Sequence, residues 1–263
     1  MFIREGDAFV ATISSQGPWN PKHANGGSAL ALLGHCLDDV HTLAPMTMTR
    51  FTADLMRPVP LGTRLHVRTN VVREGKKIQI VDLSLVADDL ECVRATVLRV
   101  RNEDLTGRDG LPPDTTQHRP ANNLRPPEEC MDLRSLVPNP SGALHAMDVR
   151  KSVRKDSSAT GTWLRIVAPV IAGEPVRTSS RMGYAFDFTS LVGVGMRGDE
   201  FTMINPDVSA QILREPVGEW IALTGETRFD HRLGHGVSDA ELSDDEGVWA
   251  VTSTSQIVQP RGL

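Results

Sequence analysis

The chain has 263 residues, enough for one large domain or for two of about 100 residues with a connector. Its 40% hydrophobic and 23% charged composition suits a globular protein that builds its core without metals or disulfides. A formal charge of −5 argues against a general nucleic-acid binder, while leaving room for a local basic patch facing a phosphate-bearing ligand.

The chain opens on a short apolar stretch, residues 8–13, that reads as a strand. The N-terminal ten residues carry Arg4, Glu5 and Asp7 and no apolar core, so no signal peptide is expected, and the expected compartment is the cytoplasm. Asn25-Gly26-Gly27 then precede Ser28-Ala29-Leu30-Ala31-Leu32-Leu33, with Cys36, Leu37 and Val40 beyond. Rich in Ala and Leu and free of β-branched residues before Val40, this run predicts a mostly buried helix. Four strands follow, at residues 46–56, 64–72, 77–86 and 92–100, separated by turns at Gly62, Gly75 and Asp88-Asp89.

Residues 103–150 change character. They hold Pro112, Pro113, Pro120, Pro126, Pro127, Pro138 and Pro140 and little apolar periodicity, as an extended surface linker would. The first element order then recurs. A strand is expected at 162–167, and Pro175 opens a helix that runs through Phe186 to Val192. Strands follow at 201–213, 220–229, 234–242 and 248–258. Two local matches support duplication. Ala53-Asp54-Leu55-Met56-Arg57-Pro58-Val59 parallels Ala210-Gln211-Ile212-Leu213-Arg214-Glu215-Pro216-Val217 with one insertion, and Asp88-Asp89-Leu90 before Val93 parallels Asp244-Asp245-Glu246 before Val248. The expected divisions are 1–105, a linker at 106–158, and 159–263.

Strand, buried helix and antiparallel meander is the order of a curved sheet wrapped around a helix. One such unit leaves a sheet edge open, and its copy can cover it. Cys36, Cys92 and Cys130 are widely spaced and form no CxxC pair, so reduced thiols are expected. The uncharged stretches contain too many polar residues and glycines to span a bilayer.

Four segments carry a resemblance: Gly26-Gly27 opening an Ala/Leu helix, Phe51-Thr52-Ala53-Asp54-Leu55-Met56-Arg57-Pro58, Phe186-Asp187-Phe188, and Ser255-Gln256. They resemble the acyl-CoA thioesterase II family. The resemblance implies an α+β double hotdog, two antiparallel sheets each wrapping a central helix and fused in one chain, that hydrolyses acyl-CoA thioesters. It implies a catalytic Asp at Asp187, a polar strand residue at Asn205 and a Gln at Gln256, five residues before Arg261. The family's usual Thr is replaced by Asn205. CoA enters as part of the substrate, and no separate cofactor or metal is implied. Homo-oligomerisation is left open.

The chemistry fits those residue types. Thioester hydrolysis needs a nucleophile, a base and donors aimed at the developing oxyanion. No GxSxG segment is present, so a water activated by Asp187 is the economical nucleophile. Asn205 and Gln256 would hold that water, and Gly26 and Gly27 would let substrate approach the helix backbone. Each residue also has a plain reading: a structural hydrogen-bonder at Asp187, a strand-entry residue before Pro206, an outward strand residue at Gln256, an ordinary turn at Gly26-Gly27.

Other patterns carry less. The GxGxxG at residues 193–198 follows a helix and leads into a strand, the reverse of a dinucleotide site. His231 and His235 stand four apart, but Gly234 and Gly236 disfavour a helix there and no third ligand is nearby. Arg73, Lys76 and Lys77 read as a solvated hairpin, and Trp163, Trp220 and Trp249 as core or interface. Two alternative functions stay open. A hotdog hydratase or dehydratase would need an Asp and His set on one helix, but no His follows Asp187 within ten residues, and His35 precedes Asp38 and Asp39 in the wrong order. A non-catalytic acyl-CoA or lipid binder is the other.

Overall fold

A computed structural model describes residues 1–112, 124–136, 140–153, 160–192 and 200–261. The chain starts with a hairpin of β1 (Phe2–Glu5) and β2 (Ala8–Ala11), followed by helix α1 (Gly26–Leu37). The meander β3 (Met46–Leu55), β4 (Arg64–Arg73), β5 (Ile78–Ala87) and β6 (Leu90–Arg101) completes the first half. The short strand β7 (Met131–Asp132), a single turn α2 (Gly142–His145), β8 (Met147–Val153) and β9 (Thr160–Ile166) come next. Helix α3 (Thr178–Asp187) runs into a 3-10 turn at Phe188–Leu191. The chain ends with β10 (Phe201–Ile204), β11 (Asp207–Ile212), β12 (Ile221–Asp230), β13 (His235–Asp244) and β14 (Gly247–Pro260).

Among the described residues the strands make one sheet rather than the two expected, in the order β1-β2-β4-β5-β6-β3-β11-β14-β13-β12-β9-β8-β7, with β10 pairing β14. The reason lies at the seam. Strands β3 and β11 pair antiparallel, with Phe51 opposite Ala210 and Ala53 opposite Val208, so each half satisfies the other's open edge. The two segments whose sequences match start on these strands, at Ala53 and Ala210, and leave the seam in opposite directions.

Three other expectations shift. The strand expected over 201–213 breaks at Asn205-Pro206, because proline offers no N–H to a ladder. The helix expected to reach Val40 ends at Leu37, and the one expected from Pro175 begins at Thr178. The proline-rich stretch carries β7, α2 and β8, whose apolar residues Met147 and Val149 are buried. The expected boundary at 158/159 and the GxGxxG at 193–198 lie outside the described residues.

The sheet curls around the two helices. Ala29 through Leu33 of α1 are fully buried, which explains why that helix carries no polar stripe. Helices α1 and α3 run antiparallel, the start of one beside the end of the other. A Cβ on Gly34 would lie 2.2 Å from the Ser179 carbonyl oxygen, and one on Gly183 would lie 2.5 Å from that of Leu30. Glycine at both crossings lets the two backbones touch.

Candidate active site

The end of α3 delivers Asp187 to the start of α1. Asn25 caps α1 in extended conformation, its Oδ1 accepting from Ser28 N–H at 3.3 Å. The next amide turns elsewhere: Gly27 N–H donates to Asp187 Oδ2 at 2.8 Å. Asp187 is only 8% exposed. On its far side Asn205 Nδ2 donates to Asp187 Oδ1 at 3.2 Å and to its main-chain oxygen at 2.9 Å. Burial pushes the Asp187 carboxyl above the ordinary aspartate range, and the Gly27 amide, Asn205 and Asn25 pull it back by favouring the anion. A Cβ at Gly26 would stand 2.7 Å from both Asp187 Oδ1 and a Leu55 methyl, so the first glycine makes room for the carboxylate.

Gln256 reaches the same region from β14 and is fully buried. It does not bond the carboxylate. Its Nε2 donates to the Ser190 carbonyl at 3.4 Å and to Ser238 Oγ. Ser190 Oγ in turn donates to the Asp187 carbonyl at 3.3 Å, so Gln256 and Asp187 grip the same 3-10 turn. The turn is fixed further by Thr189, whose hydroxyl meets Thr252 Oγ1 at 2.7 Å, and by Lys151, which donates to the Leu191 carbonyl at 2.8 Å. Burial draws the Lys151 amine down to about 8.

Two buried polar atoms near Asp187, Asn205 Oδ1 and Gln256 Oε1, have no hydrogen-bond partner, and the buried hydroxyls of Ser28 and Tyr184 have only each other. Tyr184 lies one helical turn before Asp187 and its ring packs on Gly27, where a Cβ would come within 3.1 Å. Buried polar groups are nearly always satisfied, so such a cluster marks a place built for a polar ligand or water.

The five residues singled out in the sequence thus converge: Gly26, Gly27, Asp187 and Asn205 in direct contact, Gln256 through Ser190. Sequence reasoning passed over Asn25, Tyr184, Thr189, Ser190 and Ser238. Asn25 had a readable signal, an Asn just ahead of an Ala/Leu run. The hydroxyl residues had none, since any strand or helix carries such residues. A cavity of about 770 Å³ opens elsewhere, over Ser209, Gln211, Glu226, Asp239, Glu241 and Ser253, and includes none of Asp187, Asn205 or Gln256. Among the described residues, no group of three or more His, Cys, Asp or Glu is placed to hold a metal, and no helix is long and apolar enough to cross a membrane.

The duplicated half lacks this arrangement. Asp187 stands ten residues after the α3 cap at Arg177, and ten residues after the α1 cap at Asn25 stands His35. Ala95 and Thr252 pair with the matched Ala53 and Ala210, and four residues beyond them stand Arg99 and Gln256. Arg99 fills its position, donating to the carbonyls of Leu37 and Val40 at 2.6 and 2.8 Å and to Gln79 Oε1 at 3.2 Å. His35 Nε2 meets Glu174 Oε2 at 2.9 Å, and Arg4 completes the ion pair at 2.7 Å. One half holds the carboxylate, while in the other Arg99 on neutral acceptors and His35 against Glu174 fill the matching positions.

Comparison with known proteins bears on the family and the fold. The acyl-CoA thioesterase N-terminal domain matches residues 15–100, and the acyl-CoA thioesterase C-terminal domain matches residues 112–258. No curated protein matches the sequence. Among solved structures, a protein of unknown function with hot dog fold from Alicyclobacillus acidocaldarius is similar at 15% identity and TM-score 0.69, over 98% of this chain and 96% of its own. A tesB protein from Mycobacterium avium subs paratuberculosis superposes at TM-score 0.62 with 15% identity, over 98% and 96% of the two chains. The acyl-CoA thioesterase II TesB2 from Mycobacterium marinum does so at 0.63 with 12% identity, over 100% and 97%. At these identities the likeness speaks for the hotdog fold.

Proposed function

Because the chain belongs to the acyl-CoA thioesterase family and is a thioester-hydrolysing enzyme of that family, we propose that it cleaves acyl-CoA by a water that Asp187 activates. The observation that carries the reading is the buried Asp187 carboxylate, held by Gly27 and Asn205, with the acceptors Asn205 Oδ1 and Gln256 Oε1 left without partners.

A water among these groups donates one hydrogen bond to Asp187 Oδ1 and the other to Asn205 Oδ1 or Gln256 Oε1, both of which still have acceptor capacity. Asn205 plays two parts, since its Nδ2 orients the carboxylate while its buried Oδ1 keeps acceptor capacity for the water. As the water attacks the thioester carbon, Asp187 takes its proton. The tetrahedral adduct collapses, the C–S bond breaks, and the proton held by Asp187 passes to the departing CoA sulfur, leaving the free acid and CoA. The raised proton affinity of Asp187 makes it a better base than an exposed aspartate. The positive end of α1 at Gly26 and Gly27 steadies the anion and the oxyanion that develops beside it.

A thiol-release assay with acyl-CoAs of several chain lengths tests the reading. Hydrolysis by the wild type that Asp187→Asn abolishes supports it; turnover that survives the substitution removes Asp187 from the mechanism. Hydration of an enoyl-CoA without thiol release would instead support the hydratase alternative.

A further inference from the structure

If Asp187 is the base, the thioester lies beside Gly26, Gly27 and Gln256, and the rest of CoA must run outward from there. Two segments lead away from that point and meet again at the surface. Strand β14 carries the chain five residues past Gln256 to Arg261, about 16 Å at the usual strand rise. The segment just before α1 forms a tight loop whose ends are tied by an antiparallel bridge between Gln16 and Ala24 and by Gly17 N–H donating to the His23 carbonyl at 2.9 Å. Trp19 stands at its tip, 36% exposed. The Arg261 guanidinium lies over the Trp19 ring, 5.4 Å from its centre, and Arg261 N–H donates to the Glu200 carbonyl at 2.8 Å.

The loop is stiff. Lys22 N–H donates to Asn20 Oδ1 at 2.9 Å, Gln16 Nε2 to the Pro21 carbonyl at 3.0 Å, and Leu61 N–H to the Lys22 carbonyl at 2.9 Å. Lys22 itself is exposed on the same tip. An indole, a guanidinium and an exposed ammonium thus lie at one surface, five residues beyond Gln256, a span comparable to the reach of an extended pantetheine arm. An aromatic face receives a base by stacking, and a guanidinium both stacks and pairs with phosphate.

We propose that Trp19, Arg261 and Lys22 form the subsite for the nucleotide end of CoA, the indole under the adenine and the two cations at the phosphates. This rests on the assignment of Asp187 above. It explains why an aromatic side chain at a loop tip is held in place by the last strand of the sheet.

The test compares an acyl-CoA with the matching acyl-pantetheine, which presents the same thioester without a nucleotide. The wild type is expected to show a lower KM for the acyl-CoA. Trp19→Ala and Arg261→Ala each raise that KM about tenfold, Lys22→Gln raises it less, and kcat with either substrate and the KM for acyl-pantetheine stay within twofold. Equal KM values for the two substrates in the wild type would overturn the proposal. So would variants that lose activity on both substrates alike, since Trp19 and Arg261 would then merely pin the loop. Failure of the Asp187 assignment is read separately, as an Asp187→Asn enzyme that still hydrolyses acyl-pantetheine.

Discussion

The Asp187 carboxylate and the Gly27 amide meet at 2.8 Å although 160 residues separate them in the chain. The bond joins the first helix of one half to the last turn of the second helix of the other. It also places a carboxyl group where burial opposes its ionisation and a helix N-terminus supports it.

This opposition sets the first prediction. Asp187 has a higher proton affinity folded than unfolded, so it favours the fold most at low pH and loses that contribution as pH rises through its folded value. Asp187→Asn removes an uncomfortable anion at neutral pH while keeping an oxygen for Gly27 N–H. Its Tm should exceed the wild type's at pH 7 to 8, with the gain vanishing below the ordinary aspartate range. Thermal unfolding across that pH range checks it.

The same shift predicts the rate profile. The base must be ionised, so kcat/KM should fall on the acid side with a midpoint above that of an exposed aspartate. In Asn205→Ala, which removes a hydrogen bond that favours the anion, the midpoint should move further up. A midpoint that stays put or moves down would separate Asn205 from the carboxylate.

Gly26→Ala and Gly34→Ala should fail in different ways. At Gly34 the new methyl meets the Ser179 backbone, which has nowhere to go, and overpacking of this kind costs about 1–3 kcal/mol or more. At Gly26 it meets the Asp187 carboxylate and a mobile leucine methyl, so the fold adjusts and the carboxylate shifts. Calorimetry should therefore show the larger loss for Gly34→Ala, and thiol release the larger loss relative to stability for Gly26→Ala.

Glu174 gives a prediction of the opposite sign. Hydrogen bonds from Arg4 and His35 hold its carboxyl down at about 2, so its contribution is present above the ordinary glutamate range and is lost as pH falls toward that value. Glu174→Gln should lower Tm at pH 7 by an amount that shrinks as the two proteins are compared at pH 3 and below. The pair is partly exposed, so added salt should narrow the difference as well.

Much of this architecture was legible in the sequence because it rests on local signals. Ala and Leu crowding without β-branching marked α1, and the parallel between the Ala53 and Ala210 segments marked the repeat. That β3 and β11 would pair, fusing two expected sheets into one, was not legible, since strand partners separated by about 150 residues leave no mark on either strand. The split at Asn205-Pro206 was missed although proline carried the reason. At the site, resemblance supplied Asp187, Asn205 and Gln256, and only folding brought Ser190 and Ser238 between them. The same holds for Arg99, whose correspondence to Gln256 in the other half emerges only from the register of the strands.

The glycine crossings of α1 and α3 have one more consequence. With backbone resting on backbone at Gly34 and Gly183, the helix pair has no side chain to re-pack at those two crossings. Separating the helices would break close backbone contact at both, so the shell around them is the easier part to move: the 16–24 loop, the 188–191 turn, or the strand junction at Pro206.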